Sequence, residues 1–291
     1  MRILLTGGSG FIGRNLRELW AGAHDVVAPT HRELELTDSE QVQRFLAGGR
    51  FDAVVHSATT PGHRNAAAVP DLASRNIRMF LNFARHADLY GRMVYLSSGA
   101  IYDMRGPIVR AREEDYEARL PEDAHGFSKH VIARLLDRYT NIDELRLFGV
   151  FGRYEDYAIR FISNAICKAL HGLPITLRQN RRFDYVSVAD LGTVINHFLC
   201  GSAPRRSYNV TSDETVELLA LAHMVRDLAG HADIAVAQPG LGPEYSGDNG
   251  RLKQALGKLP FRPLREAVRE LFEWYRAHLH LIDRTQLLHD K

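Results

Sequence analysis

Residues 2–13 read Arg2-Ile3-Leu4-Leu5-Thr6-Gly7-Gly8-Ser9-Gly10-Phe11-Ile12-Gly13. Ile3 to Thr6 reads as a buried strand, and Phe11 to Trp20 as an amphipathic helix. Between them Gly7, Gly10 and Gly13 stand at G-x-x-G-x-x-G spacing. The first glycine permits a tight turn. The second lets backbone approach a pyrophosphate, and the third lets the helix pack on the strand. The helix then directs its first N–H groups at the phosphates. A glycine pattern alone is a weak signal; a strand before it and a helix after it supply the context that gives it meaning. The stretch therefore predicts a dinucleotide site made by Gly7, Gly10, Phe11, Ile12 and Gly13.

Outward from this turn the chain repeats one pattern: apolar run, polar turn, amphipathic stretch. Strands are expected at Asp25–Ala28, Ala53–His56, Met93–Ser97 and Glu144–Phe148. Helices are expected from a Thr37-Asp38-Ser39-Glu40 capping box through Leu46, over 70–88, and over 124–139. A polar loop is expected between the fourth strand and residue 122. This alternation argues for an α/β fold, a Rossmann-type doubly wound parallel sheet. Its ligand would sit beyond the carboxyl ends of the strands, so the segments ending in Thr6, His56, Ser98 and Phe148 should line one crevice. Residues 1–150 read as the dinucleotide-binding domain. Residues 151–291 read mainly as a smaller substrate-binding lobe, with elements returning to the sheet. Helices there are expected near 158–171, 215–229 and 263–279, and short strands near 175–177 and 183–186.

The bulk properties exclude several classes. The chain has 291 residues, 25% charged, with a formal net charge of +2. That balance does not favour a nucleic-acid partner. No apolar stretch approaches the length of a membrane helix. Strand-like residues from Arg2 leave no room for a signal peptide. Cys167 and Cys200 form no pair at metal or redox-motif spacing, so the expectation is a cytoplasmic protein. Fourteen scattered histidines show no metal-ligand pattern, and no metal is expected. Glu113-Glu114-Asp115 reads as a solvated loop rather than a metal site, and Tyr154-Glu155-Asp156-Tyr157 as surface in preference to a sugar contact.

The cofactor type turns on the end of the second strand. An NAD site usually carries an acid there to bind the ribose 2′-OH. Ala28-Pro29-Thr30-His31-Arg32 offers two potential cations instead. His31 or Arg32 could meet a 2′-phosphate, so NADP(H) is favoured and NAD(H) stays open. Arg178, Arg181 and Arg182 form the main basic cluster, a candidate clamp for a substrate phosphate or a solvated loop.

Four further segments carry a resemblance: His56-Ser57-Ala58, Asn76, Leu96-Ser97-Ser98-Gly99-Ala100-Ile101-Tyr102, and Gly126-Phe127-Ser128-Lys129. With the glycine turn they resemble the extended short-chain dehydrogenases/reductases, in the branch of nucleotide-sugar epimerases, dehydratases and reductases. The stretch Thr30 to Asp38 is similar to the short reductases of deoxysugar nucleotides. The resemblance implies a nucleotide-sugar substrate, cofactor contacts at Ser57 and Ala58, and a possible homodimer through the helices at 70–88 and 124–139. It also implies a Ser that holds the reacting sugar oxygen, a Tyr that moves the proton, and a Lys four residues later that binds the nicotinamide ribose. Ser98 and Lys129 match the first and last.

The Tyr position is His125. No Tyr stands four residues before any of the five lysines. Residues four apart share a helix face, so His125 and Lys129 can reach one site. A phenol titrates near 10 and needs help near neutrality, whereas an imidazole titrates near 6.5. His125 is thus the candidate acid/base, with Ser98 or water as an alternative relay. Two more positions depart from the family: Gly149 replaces an Asn that often touches substrate, and Phe183 replaces an Arg that often binds the diphosphate. Arg182 could supply that cation from a shifted register. Three functions remain open: a keto-sugar reductase, an epimerase or dehydratase that retains NAD, and a cofactor-binding protein with little or no turnover.

Overall fold

The computed structural model describes residues 1–60, 62, 69–201, 206–259 and 261–288. β1 (Arg2–Thr6) leads into α1 (Phe11–Leu19), then β2 (Asp25–Val27), α2 (Ser39–Gly49), β3 (Phe51–His56), α3 (Leu72–Ala84) and β4 (Tyr90–Ser98). There follow β5 (Ile108–Ala111), α4 (Ala124–Ala133), β6 (Ile142–Leu147), β7 (Gly149–Phe151) and α5 (Phe161–Leu170). Next come β8 (Ile175–Asn180), β9 (Arg182–Phe183), β10 (Tyr185–Ser187), α6 (Val188–Cys200) and β11 (Ser207–Val210). The chain closes with β12 (Val216–Glu217), α7 (Leu218–Ala229), β13 (Ile234–Leu241), β14 (Tyr245–Gly247), α8 (Gly250–Leu256) and α9 (Leu264–Ala277).

Six strands form one sheet in the order β11-β6-β4-β3-β1-β2. Every pairing in it is parallel. From β1 the chain moves out to β2, then crosses back to β3 on the other side. The order therefore reverses at β1, where such sheets open a crevice for ligand. This is the expected α/β, Rossmann-type doubly wound architecture, with a smaller C-terminal lobe.

Alternation along the strands builds two cores. Ile3 and Leu5 pack with Leu16, Leu191, Val194 and Ile195 on one face. Leu4 packs with Val54, Phe80, Phe83 and Met93 on the other. Each fully buried side chain of this size contributes about 1.5–3 kcal/mol. A third core, with Ile162, Ile166, Leu221, Val225 and Phe272, holds α5, α7 and α9 together in the C-terminal lobe.

Several expected boundaries change. α2 starts one residue later than the capping box implies, because Asp38 is the cap and accepts from the N–H groups of Glu40 and Gln41. Thr37 instead donates its hydroxyl to Glu35. α4 ends at Ala133, not 139; the chain tightens into a short turn over Leu136–Arg138 that carries Leu136 into the core. The expected polar loop after β4 contains β5, which pairs with β14 far along the chain. Glu113 is buried rather than solvated, accepting from the Asn209 N–H at 2.8 Å and pairing with Arg251 at 3.4 Å. Glu155 is buried too, accepting from the Ser163 hydroxyl at 2.6 Å. Among the described residues no helix is long and apolar enough to cross a membrane, and no group of three His, Cys, Asp or Glu side chains could hold a metal.

Candidate dinucleotide and catalytic site

The glycine turn is built by close backbone packing. Gly7 has φ +70°, the left-handed region that favours glycine. A Cβ on it would stand 2.9 Å from the Ala58 nitrogen. A Cβ on Gly13 would stand 2.2 Å from the Gly7 carbonyl oxygen. The Gly10 N–H donates to the Gly7 carbonyl at 3.0 Å, closing the turn. No side chain caps α1 and no acid lies in its first turn, so the N–H groups around Phe11, Ile12 and Gly13 are left for an anion. This bare, positive cradle fits a pyrophosphate.

The neighbouring strand end is pinned to it. Ala58 N–H donates to Thr6 Oγ1 at 3.1 Å, and Thr6 Oγ1 lies 3.0 Å from His56 Nδ1. Burial first, then the charge of Lys129, pulls His56 down to about 3, so this imidazole is neutral. Ser57 and Ala58 are half-buried beside this network. His31 and Arg32 are exposed at the far end, while Glu33 is turned back to accept from the Thr30 N–H and hydroxyl.

Ser98 closes β4 in extended conformation, its Oγ accepting from the Ala100 N–H at 3.2 Å. The first turn of α4 packs directly against the turn after Ser98: a Cβ on Gly126 would stand 2.6 Å from the Ala100 carbonyl oxygen. That contact brings Ser98 and half-buried His125 to one end of the sheet. α4 begins there because Asp123 caps it, accepting from the Gly126 N–H at 2.8 Å. Lys129, one turn on, is 3% exposed and aims inward. Its Nζ donates to Tyr95 Oη at 2.9 Å and to the Leu96 carbonyl at 3.4 Å. Burial pulls this ammonium down to about 8, the Glu144 carboxylate opposing.

The basic cluster does not assemble into one clamp. Arg181 Nε donates to the Pro243 carbonyl at 2.8 Å, Arg182 Nε pairs with Glu217 at 3.4 Å, and Arg178 is exposed. Arg181 lies in the link between β8 and β9 and Arg182 opens β9, and the two side chains take different partners. At Gly149 the backbone has closed: a Cβ would stand 2.4 Å from the Asp184 carbonyl oxygen, leaving no room for an asparagine. Phe183 joins an aromatic wall with Phe148, Tyr185 and Tyr245.

Two tyrosines of the site carry no local sequence signal. Tyr245 arrives from β14 with its hydroxyl packed against Gly99, where a Cβ would stand 2.5 Å from it. Burial pushes that phenol up, and the adjacent Ser98 hydroxyl works the other way. Tyr95 reads simply as a core residue of β4, and only the fold places it on Lys129.

A glycine cradle at the reversal point of a parallel sheet defines a Rossmann-type dinucleotide-binding protein. The chain belongs to the NAD dependent epimerase/dehydratase family, whose model matches residues 3–211, and so to the NAD(P)-binding oxidoreductases. It is 24% identical over 315 residues to UDP-glucuronic acid decarboxylase 1 of Xenopus tropicalis, covering 96% of this chain and 73% of that one. Among solved structures, a Thermus thermophilus UDP-glucose 4-epimerase in complex with NAD is 26% identical, with a TM-score of 0.76 and coverage of 95% of this chain and 99% of that one. A GDP-mannoheptose C4 reductase of Campylobacter jejuni with NADP bound shares the fold at a TM-score of 0.79 and 18% identity, covering 94% of this chain and 98% of that one.

Proposed function

We propose that this protein is an NADP(H)-dependent oxidoreductase that reduces a keto group on a nucleotide-activated sugar in deoxysugar or surface-glycan biosynthesis. The observation that supports the reading is the packing of the first turn of α4, which carries His125, against the turn that follows Ser98. The relatives, which include epimerases, decarboxylases and reductases of nucleotide sugars, support the substrate class. Gly7, Gly10, Phe11, Ile12 and Gly13 would hold the pyrophosphate, with Ser57 and Ala58 beside it. His31 and Arg32 would meet a 2′-phosphate, which is why NADP(H) is preferred here to NAD(H). Arg178 and Arg182 would offer cations toward the substrate phosphates.

The bound nicotinamide supplies the hydride chemistry. The Ser98 hydroxyl donates to the sugar carbonyl oxygen and holds its charge. His125, as imidazolium, gives that oxygen its proton. Lys129 would hold the ribose side of the cofactor and keep positive charge beneath the site. α3 and α4 would join two copies into a homodimer, acting in the cytoplasm.

The test is titration with NADPH and NADH by nicotinamide fluorescence, followed by NADPH consumption with 4-keto-sugar nucleotides. Tight NADPH binding with turnover is expected. Tightly retained NAD after purification would instead support an epimerase or dehydratase. The closed backbone at Gly149 favours a second reading, a cofactor-binding protein with little turnover; binding without turnover on any keto-sugar nucleotide would select it.

A further inference from the structure

Lys129 is a buried cation, and among the described residues no carboxylate pairs with it. Its two acceptors among the described residues are Tyr95 Oη at 2.9 Å and the more distant Leu96 carbonyl at 3.4 Å. The Tyr95 ring also faces the ammonium, with Nζ 4.7 Å from its centroid. An ammonium carries three donors, all satisfied in water, and its removal from water disfavours the charged form. The phenol therefore carries most of the compensation, through one charge-assisted hydrogen bond and one ring contact.

Beside the pair on β4, Ser97 works against the upward push that burial gives the Tyr95 phenol. β3 presents His56, held neutral, its ring stacked 5.8 Å from Tyr95. α3 presents Phe80 and Phe83, which touch the rings of Tyr95 and His56 and bear no charge. β6 contributes Glu144, whose attraction for Lys129 acts at a distance. His125 and His130 share α4 with Lys129. Burial holds the Tyr95 phenol neutral.

We propose that Tyr95 is the positioning residue of Lys129: its phenolic oxygen, brought by β4, fixes the ammonium against the sheet and keeps it charged. This rests on the reading that Lys129 serves the dinucleotide site. Tyr95 is buried within the sheet's core, so it acts through Lys129.

The test is the Lys129 titration midpoint, read directly by carbon NMR of protein labelled at lysine Cε. Five lysines give a resolvable spectrum, and Lys129→Met identifies the signal by its loss. Tyr95→Phe removes one oxygen and retains the ring. It is expected to lower the Lys129 midpoint by about one pH unit or more and to move the alkaline loss of NADPH affinity down by the same amount. An unchanged midpoint in a folded Tyr95→Phe overturns the proposal. Should that variant not fold, the wild-type spectrum decides: a nuclear Overhauser contact between the Lys129 ε protons and the Tyr95 ring is expected, and its absence overturns the proposal. Failure of the wild type to bind either dinucleotide defeats the functional reading instead, and leaves the midpoint measurement interpretable.

Discussion

Gly13 lies so close to Gly7 that a Cβ on Gly13 would stand 2.2 Å from the Gly7 carbonyl oxygen. The obstacle is backbone, which cannot swing aside as a side chain can. Gly13→Ala must therefore push α1 away from the turn. A loss of about 1–3 kcal/mol is expected, together with loss of dinucleotide binding. Urea unfolding and fluorescence titration check the two effects separately.

Lys129→Met should stabilise the protein while weakening cofactor binding. The folded-state value, about 8, lies below the ordinary 10.5. Below pH 8 both folded and unfolded chains are protonated, and the folded state bears the full penalty of a buried charge. Between about 8 and 10.5 the unfolded chain binds more protons, so stability rises with pH. The variant should be on the order of 2–3 kcal/mol more stable at pH 7, with the gap closing above pH 8. Denaturation midpoints at pH 7 and pH 9.5 measure it.

Glu155 should behave in the opposite sense. Burial raises its carboxyl from 4.5 to about 8, the Ser163 hydroxyl opposing. Between these values the folded chain holds the extra proton, so stability falls as pH rises. Glu155→Gln preserves the shape and an acceptor for Ser163. It should match the wild type near pH 4.5 and exceed it progressively up to pH 8, by on the order of 3 kcal/mol. Superimposable urea curves for the two proteins at pH 8 would sink this account.

His125→Ala should reduce turnover about a hundredfold or more, the usual worth of a placed proton donor, with NADPH affinity little changed. Ser98→Ala should act on turnover likewise. His125→Tyr separates a tuned histidine from a decayed site: activity falls in the first case and rises in the second. Stopped-flow measurement of NADPH oxidation reads all three variants.

Arg32→Ala should weaken NADPH binding by roughly tenfold to a hundredfold, as expected for a hydrogen bond between charged groups, and leave NADH binding unchanged. Equal effects on both cofactors would remove Arg32 from the 2′-phosphate site.

Much of this was legible along the chain, for a local reason. β1, the glycine turn and α1 are contiguous, so spacing alone conveys strand, turn and helix. Ser98 and Lys129 are singled out by the resemblance of Leu96–Tyr102 and Gly126–Lys129 to the family's motifs, which short stretches of chain also carry. The cap of α2 slipped by a residue because Thr37 and Asp38 compete for one role, and hydrogen-bond geometry chose Asp38.

The sequence by itself determined the glycine turn and the alternation of strands and helices around it, because hydrophobic period and turn chemistry act between neighbours. Tertiary structure alone decided that Tyr95 meets Lys129, that Tyr245 reaches Gly99 from β14, and that Arg181 and Arg182 part toward different partners. Those relationships join residues remote in sequence. They depend on which strands pair and how closely helices approach, and neither quantity has a signature in any single stretch of chain.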